Sequence, residues 1–169
     1  MLDKIRLAGI AYESLVNGPG LRRVYFAQGC SHNCRGCFNP STHNFAGGQL
    51  FEIDKLISSL KNNPMIHGIT FSGGDPFYQA KNFNELANQI KALNRELSIW
   101  CYTGFTFDEI INSNNTDMIN LLKNIDVLVD GKFVLSLKED NLKFKGSSNQ
   151  RIIDIKKTLE KNDIILWEE

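Results

Sequence analysis

The sequence predicts an α/β protein in which a parallel sheet forms a partial, open β/α barrel with helices on the outside. Strand-like and helix-like runs alternate along the middle of the chain, which is the pattern of successive βαβ units. Glycine-rich and polar segments follow the predicted strands, at the sheet edge where function gathers in such folds. The 169 residues suit a single domain, residues 1–169, because a closed eight-stranded barrel needs about 250 residues.

The first predicted elements are a strand or strand-like lead-in at residues 5–12 and a second strand at residues 21–27. A tight loop at residues 17–20 separates them, because its two glycines permit positive φ and Pro19 fixes its own φ. Neither face of the second strand is cleanly polar, so we expect it to be buried within the sheet. This strand leads the chain directly into a cysteine-rich loop.

The elements that follow alternate helix and strand after a loop at residues 40–49. Apolar residues at helical spacing predict helices after residues 53, 82, 106 and 117, and the runs at 68–71, 97–102 and 126–129 predict strands. Two helices show capping boxes, with Asn82 paired to Glu85 and Thr106 paired to Glu109. The tail is less informative: residues 144–151 are polar and predict a loop, residues 152–155 suit a strand or a helix, and residues 164–167 suit a last strand.

The composition excludes several classes of function. Lysine plus arginine and aspartate plus glutamate number 19 each, and no basic block interrupts this balance, so nucleic acid is not an expected partner. The first residues are too charged for a signal peptide, and no apolar run approaches a membrane span, so we expect no membrane association and a cytoplasmic location. Clustered cysteines in that compartment indicate metal or redox chemistry rather than disulfides.

Three cysteines, Cys30, Cys34 and Cys37, form the spacing C-x3-C-x2-C, with an aromatic residue directly after the last. Three thiolates from one short loop can hold three irons of a four-iron cluster, and the iron left open can bind a substrate or cofactor. A structural zinc site with His32 or His43 as fourth ligand is the alternative. The fourth cysteine, Cys101, lies in an apolar run and is expected to be a buried core thiol.

Three further motifs are each weak alone but share the predicted functional edge. The segment Ser72-Gly73-Gly74-Asp75 ends a strand with two glycines that let a ligand approach the backbone, and the carboxylate of Asp75 suits an ammonium group. Asp130 and Lys132 lie two residues apart on an extended segment and could hold a zwitterion or each other. Phe38 could flank an adenine ring. The structural alternatives are ordinary turns and a packed core phenylalanine.

With these residues the sequence resembles the radical S-adenosylmethionine superfamily, whose pattern is C-x3-C-x2-C followed by an aromatic residue and, later, Gly-Gly-Asp-Pro. The segments 17–22 and 28–30 look like those of the activating enzymes of glycyl-radical proteins. Asn17 in place of aspartate resembles the branch that acts on anaerobic ribonucleotide reductase, as do the segments 37–42, 129–134 and 146–150. The resemblance runs from about residue 10 to Arg151. Many members have tyrosine where this chain has Phe38.

The resemblance implies a mechanism and a set of partners. A [4Fe-4S] cluster on the three cysteines would reductively cleave S-adenosyl-L-methionine to methionine and a 5′-deoxyadenosyl radical, which would take a hydrogen from one glycine of an anaerobic ribonucleoside-triphosphate reductase large subunit. A flavodoxin-like protein would supply the electron. No catalytic residue is implied beyond the cluster and the cofactor. The implied cofactor-binding residues are Gly36, Cys37, Phe38, Ser72, Gly73, Gly74, Asp75, Asp130 and Lys132. Activation of another glycyl-radical enzyme, of the formate-lyase type, is the nearest alternative, and a non-catalytic zinc-binding interaction module is the alternative from a different class.

Overall fold

A computed structural model of the protein describes residues 3–169. These residues form one mixed seven-stranded sheet with helices packed against one face. The strands, in chain order, are β1 Lys4–Ser14, β2 Arg22–Ala27, β3 Gln49–Glu52, β4 Gly68–Gly73, β5 Ser98–Tyr102, β6 Val127–Asp130 and β7 Arg151–Asp154. The α-helices are α1 Ile53–Lys61, α2 Ala80–Leu93, α3 Phe107–Ile111, α4 Thr116–Asn124 and α5 Ile155–Lys161. Short 3-10 helices occupy Pro40–Thr42, Pro76–Gln79 and Leu135–Leu137.

The sheet has the order β3-β1-β2-β4-β5-β6-β7. The four central strands, β2, β4, β5 and β6, are parallel, as the alternation of strands and helices predicts. The edges differ from the prediction of a parallel sheet, because β1 and β3 pair antiparallel on one side and β7 pairs antiparallel with β6 on the other. Within residues 3–169 the two edge strands do not pair with each other, so the sheet is open.

The two faces of the sheet carry different layers. On one face, side chains such as Phe71, Cys101 and Leu128 pack with α-helices into the main apolar core. On the other face, Trp100, Val127 and Val129 form a smaller cluster with Phe144 and Trp167. The central strands are therefore covered on both sides, which explains why their sequences show no polar face. The prediction that Cys101 is a core thiol is confirmed, since its side chain is fully buried.

Some local predictions are confirmed and others are wrong. The Thr106–Glu109 capping box forms as expected at the start of α3. The Asn82 capping box does not, because α2 already begins at Ala80 and the Asn82 amide instead donates to the Lys4 carbonyl at 2.8 Å. The tail segment 164–167 runs beside β7 but makes only one bridge, between Ile153 and Leu166, so it is not a regular strand.

Arg22 fixes the end of the sheet that lies opposite the cysteine loop. Its side chain is buried, and its guanidinium donates to the side chains of Thr70 and Ser98 and to the carbonyls of Pro19, Ile69 and Ser98. Burial lowers the pKa of Arg22 to about 10. The bond to the Pro19 carbonyl ties the glycine-rich loop before β2 to the sheet.

The helices within residues 3–169 are all too short or too polar to cross a lipid bilayer.

Candidate functional site

The cysteine loop follows β2 and is held against the end of β4 by backbone hydrogen bonds. The amide of Gly74 donates to the Ala27 carbonyl at 2.8 Å, and the amide of Asp75 donates to the Gly29 carbonyl at 3.0 Å. Gly74 lies so close to the loop that a Cβ atom there would fall 2.5 Å from the Gly29 carbonyl oxygen. Glycine is therefore required by close backbone packing at the point where the two segments meet.

Cys30, Cys34 and Cys37 all line one small cavity of about 130 Å³. The three side chains are half-buried and are free thiols, and burial raises the pKa of Cys30 to about 11. The same cavity is lined by Gly73 and Gly74 from the end of β4 and by the ring of Phe38. The structure thus brings the predicted cysteine and glycine motifs together around one cavity.

The donor set suits an iron-sulfur cluster. Soft thiolates are the ligands that such clusters take, and each iron of a four-iron cluster binds its own thiolate, so the sulfurs need not converge on one point. Within residues 3–169 no three His, Cys, Asp or Glu side chains are arranged as ligands of a single metal ion. Three thiols that line one cavity together with the backbone of Gly73 and Gly74 fit a cluster that keeps one position for a further ligand.

A second cavity of about 500 Å³ adjoins the first and gives room for a larger molecule. Phe38 lies on the border between the two cavities; the residue is 59% exposed, and its ring centroid lies 4.8 Å from that of Phe133 with the two rings tilted by 50°. The residues that line both cavities are Phe38, Asn39, Ser72, Tyr102, Phe133 and Gln150. Asn17 lines the larger cavity, from the loop before β2.

Asp75 is fully buried, and four donors surround its carboxylate. The amides of Phe77 and Gly104 donate at 3.0 and 2.9 Å, the Thr103 hydroxyl donates at 2.8 Å, and His32 Nε2 lies 2.6 Å from Oδ2. These contacts use most of the hydrogen-bonding capacity of the carboxylate, which favours a structural role for Asp75. Through these hydrogen bonds Asp75 joins the cysteine loop, the end of β4 and the end of β5.

Asp130 and Lys132 do not line the cysteine cavity. Side chains alternate along a strand, so Asp130 falls on the helix-covered face with Leu128. There its carboxylate accepts from the Phe107 amide at 2.8 Å and pairs with Arg151 at 2.6 Å, while Lys132 is exposed. The two predicted partners share a separate surface groove with the start of α3. Asp130 thus binds Arg151 rather than Lys132.

Several residues at the site were not singled out from the sequence. Tyr102 lines both cavities and its hydroxyl donates to the Phe144 carbonyl at 2.7 Å, while burial raises the pKa of this phenol. Gln150 binds the Gly131 carbonyl at 2.9 Å, and its side-chain oxygen accepts from the Gly146 amide at 2.7 Å. Only the position of Tyr102 at a strand end could have indicated it. Gln150 lies in a segment that carried a resemblance but no local signal.

His43, which the sequence offered together with His32 as an alternative metal ligand, lies close to the cysteines. Its Nε2 is 3.3 Å from the sulfur of Cys37. His32, which the sequence offered as an alternative metal ligand, contacts Asp75 instead and packs against Phe105 with ring centroids 4.6 Å apart. The two loop histidines therefore have different surroundings.

The chain matches known proteins over most of its length. The family model described as a 4Fe-4S single cluster domain matches residues 16–153. An anaerobic ribonucleoside-triphosphate reductase-activating protein of Enterobacteria phage T4 is 40% identical over 141 residues, which are 81% of this chain and 86% of that protein. The protein with the same name from Salmonella typhi is 42% identical over 144 residues, 80% of this chain and 90% of that protein. Among solved structures, QueE from Escherichia coli covers 61% of this chain and 53% of its own, at 13% identity and a TM-score of 0.47.

Proposed function

The chain belongs to the anaerobic ribonucleoside-triphosphate reductase-activating proteins and contains their 4Fe-4S single cluster domain, and from this premise we propose that it generates a glycyl radical on such a reductase. It is an activating enzyme that uses a [4Fe-4S] cluster and S-adenosyl-L-methionine. When bound, these groups supply a one-electron cleavage of the sulfonium and a radical that removes a hydrogen atom from a glycine. The observation that carries the proposal is the set of three cysteines that line one cavity.

The cysteines would hold the cluster, and their loop is built to present them together. Backbone hydrogen bonds from Gly29 to Thr42 and from Cys30 to His43, at 2.7 and 3.1 Å, fold the segment after the loop back onto its start. These bonds close the loop through main-chain contacts alone. A loop whose shape is set by the backbone needs less ordering when ligands are added, which favours cluster assembly.

The backbone of the Ser72–Gly74 turn would receive the methionine end of the cofactor. The Gly74 amide is already used by the Ala27 carbonyl, so we propose that this turn offers carbonyl oxygens, which suit an ammonium group. Gly36 and Phe38 would lie along the adenosine, with Phe38 at the opening of the larger cavity. Glycine at both positions lets this turn pack directly against the backbone of β2 and of the cysteine loop, which places the turn at the cavity.

For Asp75 and Asp130 the geometry favours a role in holding the site's backbone in place over direct binding of the cofactor. Asp75 would hold the turn and the cysteine loop in register through its four donors. Asp130, in its pair with Arg151, would fix the end of β6 beneath Gly131, which lines the cavity by its backbone. Direct contacts of Asp75, Asp130 and Lys132 with the cofactor stay predictions.

The proposal also covers the fold, the cellular location and the partner proteins of the enzyme. The open sheet suits the partial barrel of radical S-adenosylmethionine proteins, because its four parallel strands place the cysteine loop and the Gly73–Gly74 turn at one edge. We propose that the whole chain forms one such domain. Free thiols suit a reducing cytoplasm. The reductase is the target in this proposal, and a flavodoxin-like electron donor stays a prediction.

Anaerobic reconstitution with iron and sulfide tests the cluster. We expect about four irons and four sulfides per chain, a brown protein, and methionine formation from S-adenosyl-L-methionine after reduction. Cys34→Ala should abolish this cleavage. Cys101→Ala is the matched control, because that thiol is buried in the core away from the cavity, and it should retain the cluster. A colourless protein with one zinc and no sulfide would mean that the chain is a zinc-binding module.

Mixing with candidate partners tests the substrate. Electron paramagnetic resonance should show a glycyl radical when the reduced enzyme and S-adenosyl-L-methionine meet an anaerobic ribonucleoside-triphosphate reductase. A formate-lyase type protein is the comparison. A radical that forms only on the latter would assign the chain to the other glycyl-radical activases.

A further inference from the structure

The sulfur of Cys37 has two nitrogen neighbours within its own loop. The backbone amide of Asn39 lies 3.4 Å from this sulfur, and Nε2 of His43 lies 3.3 Å from it. Sulfur is a large, soft acceptor, so both distances are within the range of N–H···S contacts. When Cys37 is a thiolate, both groups donate to a negatively charged sulfur, which strengthens them relative to contacts with a thiol.

The main chain of His43 is held in place by backbone hydrogen bonds. The His43 amide donates to the Pro40 carbonyl at 3.3 Å, and the His43 carbonyl accepts from the Cys30 amide at 3.1 Å. The preceding residue, Thr42, is buried and accepts from the Gly29 amide at 2.7 Å. His43 is thus tied to the start of the cysteine loop while its ring reaches the last cysteine, and its position does not depend on a flexible side chain alone.

Hydrogen bonds to cluster sulfurs set the reduction potential of iron-sulfur centres. Reduction adds one negative charge to the cluster and its thiolates, and an N–H donor on a thiolate stabilises that added charge. A donor therefore raises the reduction potential, and its loss lowers it. The proposed reaction begins with electron delivery to the cluster, so the potential decides which donors can reduce it.

We infer that His43 tunes the reduction potential of the cluster by donating its Nε2–H to the Cys37 thiolate. The inference rests on the proposed function, because it requires the cluster. His43 acts in it as a positioning residue, through Cys37, and not as a metal ligand. The residue is distinct from the chain's other histidines in this respect, since His32 contacts Asp75 and His67 accepts from the Leu21 amide at 3.2 Å at the other end of the sheet.

A redox titration of the reconstituted protein without S-adenosyl-L-methionine tests the inference, with reduced cluster measured by electron paramagnetic resonance at one fixed pH. His43→Met fills similar space without a donor and should lower the midpoint potential. We expect the ratio of reduced to oxidised cluster at a fixed potential to fall about tenfold, which for one electron is ~59 mV. His43→Gln keeps an N–H donor and should restore part of the shift. His67→Ala is the control and should match the unsubstituted protein.

The outcomes separate the inference from the proposed function. An unsubstituted protein that binds no cluster overturns the proposed function itself. A normal cluster with the same midpoint potential in His43→Met overturns only the inference. Loss of iron from His43→Met also overturns it, since His43 would then be a ligand or a structural support. If the methionine variant fails to fold, His43→Ala provides a second donor-free variant for the same measurement.

Discussion

Gly73 should tolerate no side chain, and the size of the penalty can be worked out from the structure. Its φ is +99°, and a Cβ atom would lie 2.5 Å from the Ala27 nitrogen and 2.6 Å from the Ala27 oxygen. The backbone strain of an L-residue in this region costs about 1–2 kcal/mol. The clash is with backbone atoms of the neighbouring strand and adds about 1–3 kcal/mol. Gly73→Ala should therefore lower the free energy of unfolding by about 3 kcal/mol.

Two other glycines separate the parts of this penalty. Gly131 also has a positive φ, of +96°, but the atom nearest to an added Cβ is 3.9 Å away, so Gly131→Ala should cost only the strain of about 1–2 kcal/mol. Gly9 has neither a positive φ nor an atom within 4 Å of an added Cβ. Gly9→Ala should leave stability unchanged or raise it by up to about 1 kcal/mol, because alanine reduces the entropy of the unfolded chain.

Urea unfolding of the apo-protein, followed by circular dichroism under reducing conditions, measures all three. With an m value of about 2 kcal/mol/M, a loss of 3 kcal/mol lowers the midpoint by about 1.5 M. Equal costs for Gly73→Ala and Gly131→Ala would show that the predicted clash with Ala27 is absent. A comparable cost for Gly9→Ala would refute the reasoning as a whole, since the structure gives no source for it.

Three further predictions concern other parts of the chain. In native apo-protein Cys34 and Cys37 should react readily with a thiol reagent and Cys30 more slowly, because burial raises the pKa of Cys30 to about 11. Cys101 should react only after denaturant is added, because it is fully buried and burial raises its pKa; a fast reaction of Cys101 in the native protein would contradict this. Thr106→Ala should cost about 1 kcal/mol by urea unfolding through loss of the α3 cap, and Thr106→Ser should not; equal losses would argue against the cap. Trp167→Ala should lower stability by about 1–3 kcal/mol, measured by thermal unfolding, because it removes aromatic packing against Trp100. Leu166→Ala should change thermal unfolding little, because Leu166 is exposed. A larger loss for Leu166→Ala than for Trp167→Ala would mean that the tail packs differently.

The parallel centre of the sheet could be predicted from the sequence, but its edges could not. The helices between β2, β4, β5 and β6 have clear apolar spacing, and crossover helices require parallel strands. β3 and β7 have only four residues each, which is too short for a recognisable period. Their antiparallel pairing depends on distant partners in β1 and β6, and a local pattern carries no information about them.

Helix starts and polar side chains show the same limit. Asn82 and Glu85 have the spacing of a capping box. However, α2 begins at Ala80, directly after a short 3-10 helix, so Asn82 lies inside the helix and its side chain donates to the Lys4 carbonyl instead. The cysteine loop and the Gly73–Gly74 turn could be placed together because both follow adjacent strands. The hydrogen-bond donors to Asp75 could not be predicted, since they come from three separate segments of the chain. Spacing places a residue at an edge, but tertiary contacts decide which donors reach it.

The aromatic cluster on the face of the sheet opposite the helices has a practical consequence for experiments. The sequence has two tryptophans, and their ring centroids lie 4.9 Å apart, with Phe144 against Trp100 at 5.5 Å. Because Phe144 also lines the larger cavity, the intrinsic fluorescence of the apo-protein reports on one place, where the C-terminal tail meets the cavity wall. A change in emission on adding a ligand would therefore locate that ligand, or a movement of the tail, without any label.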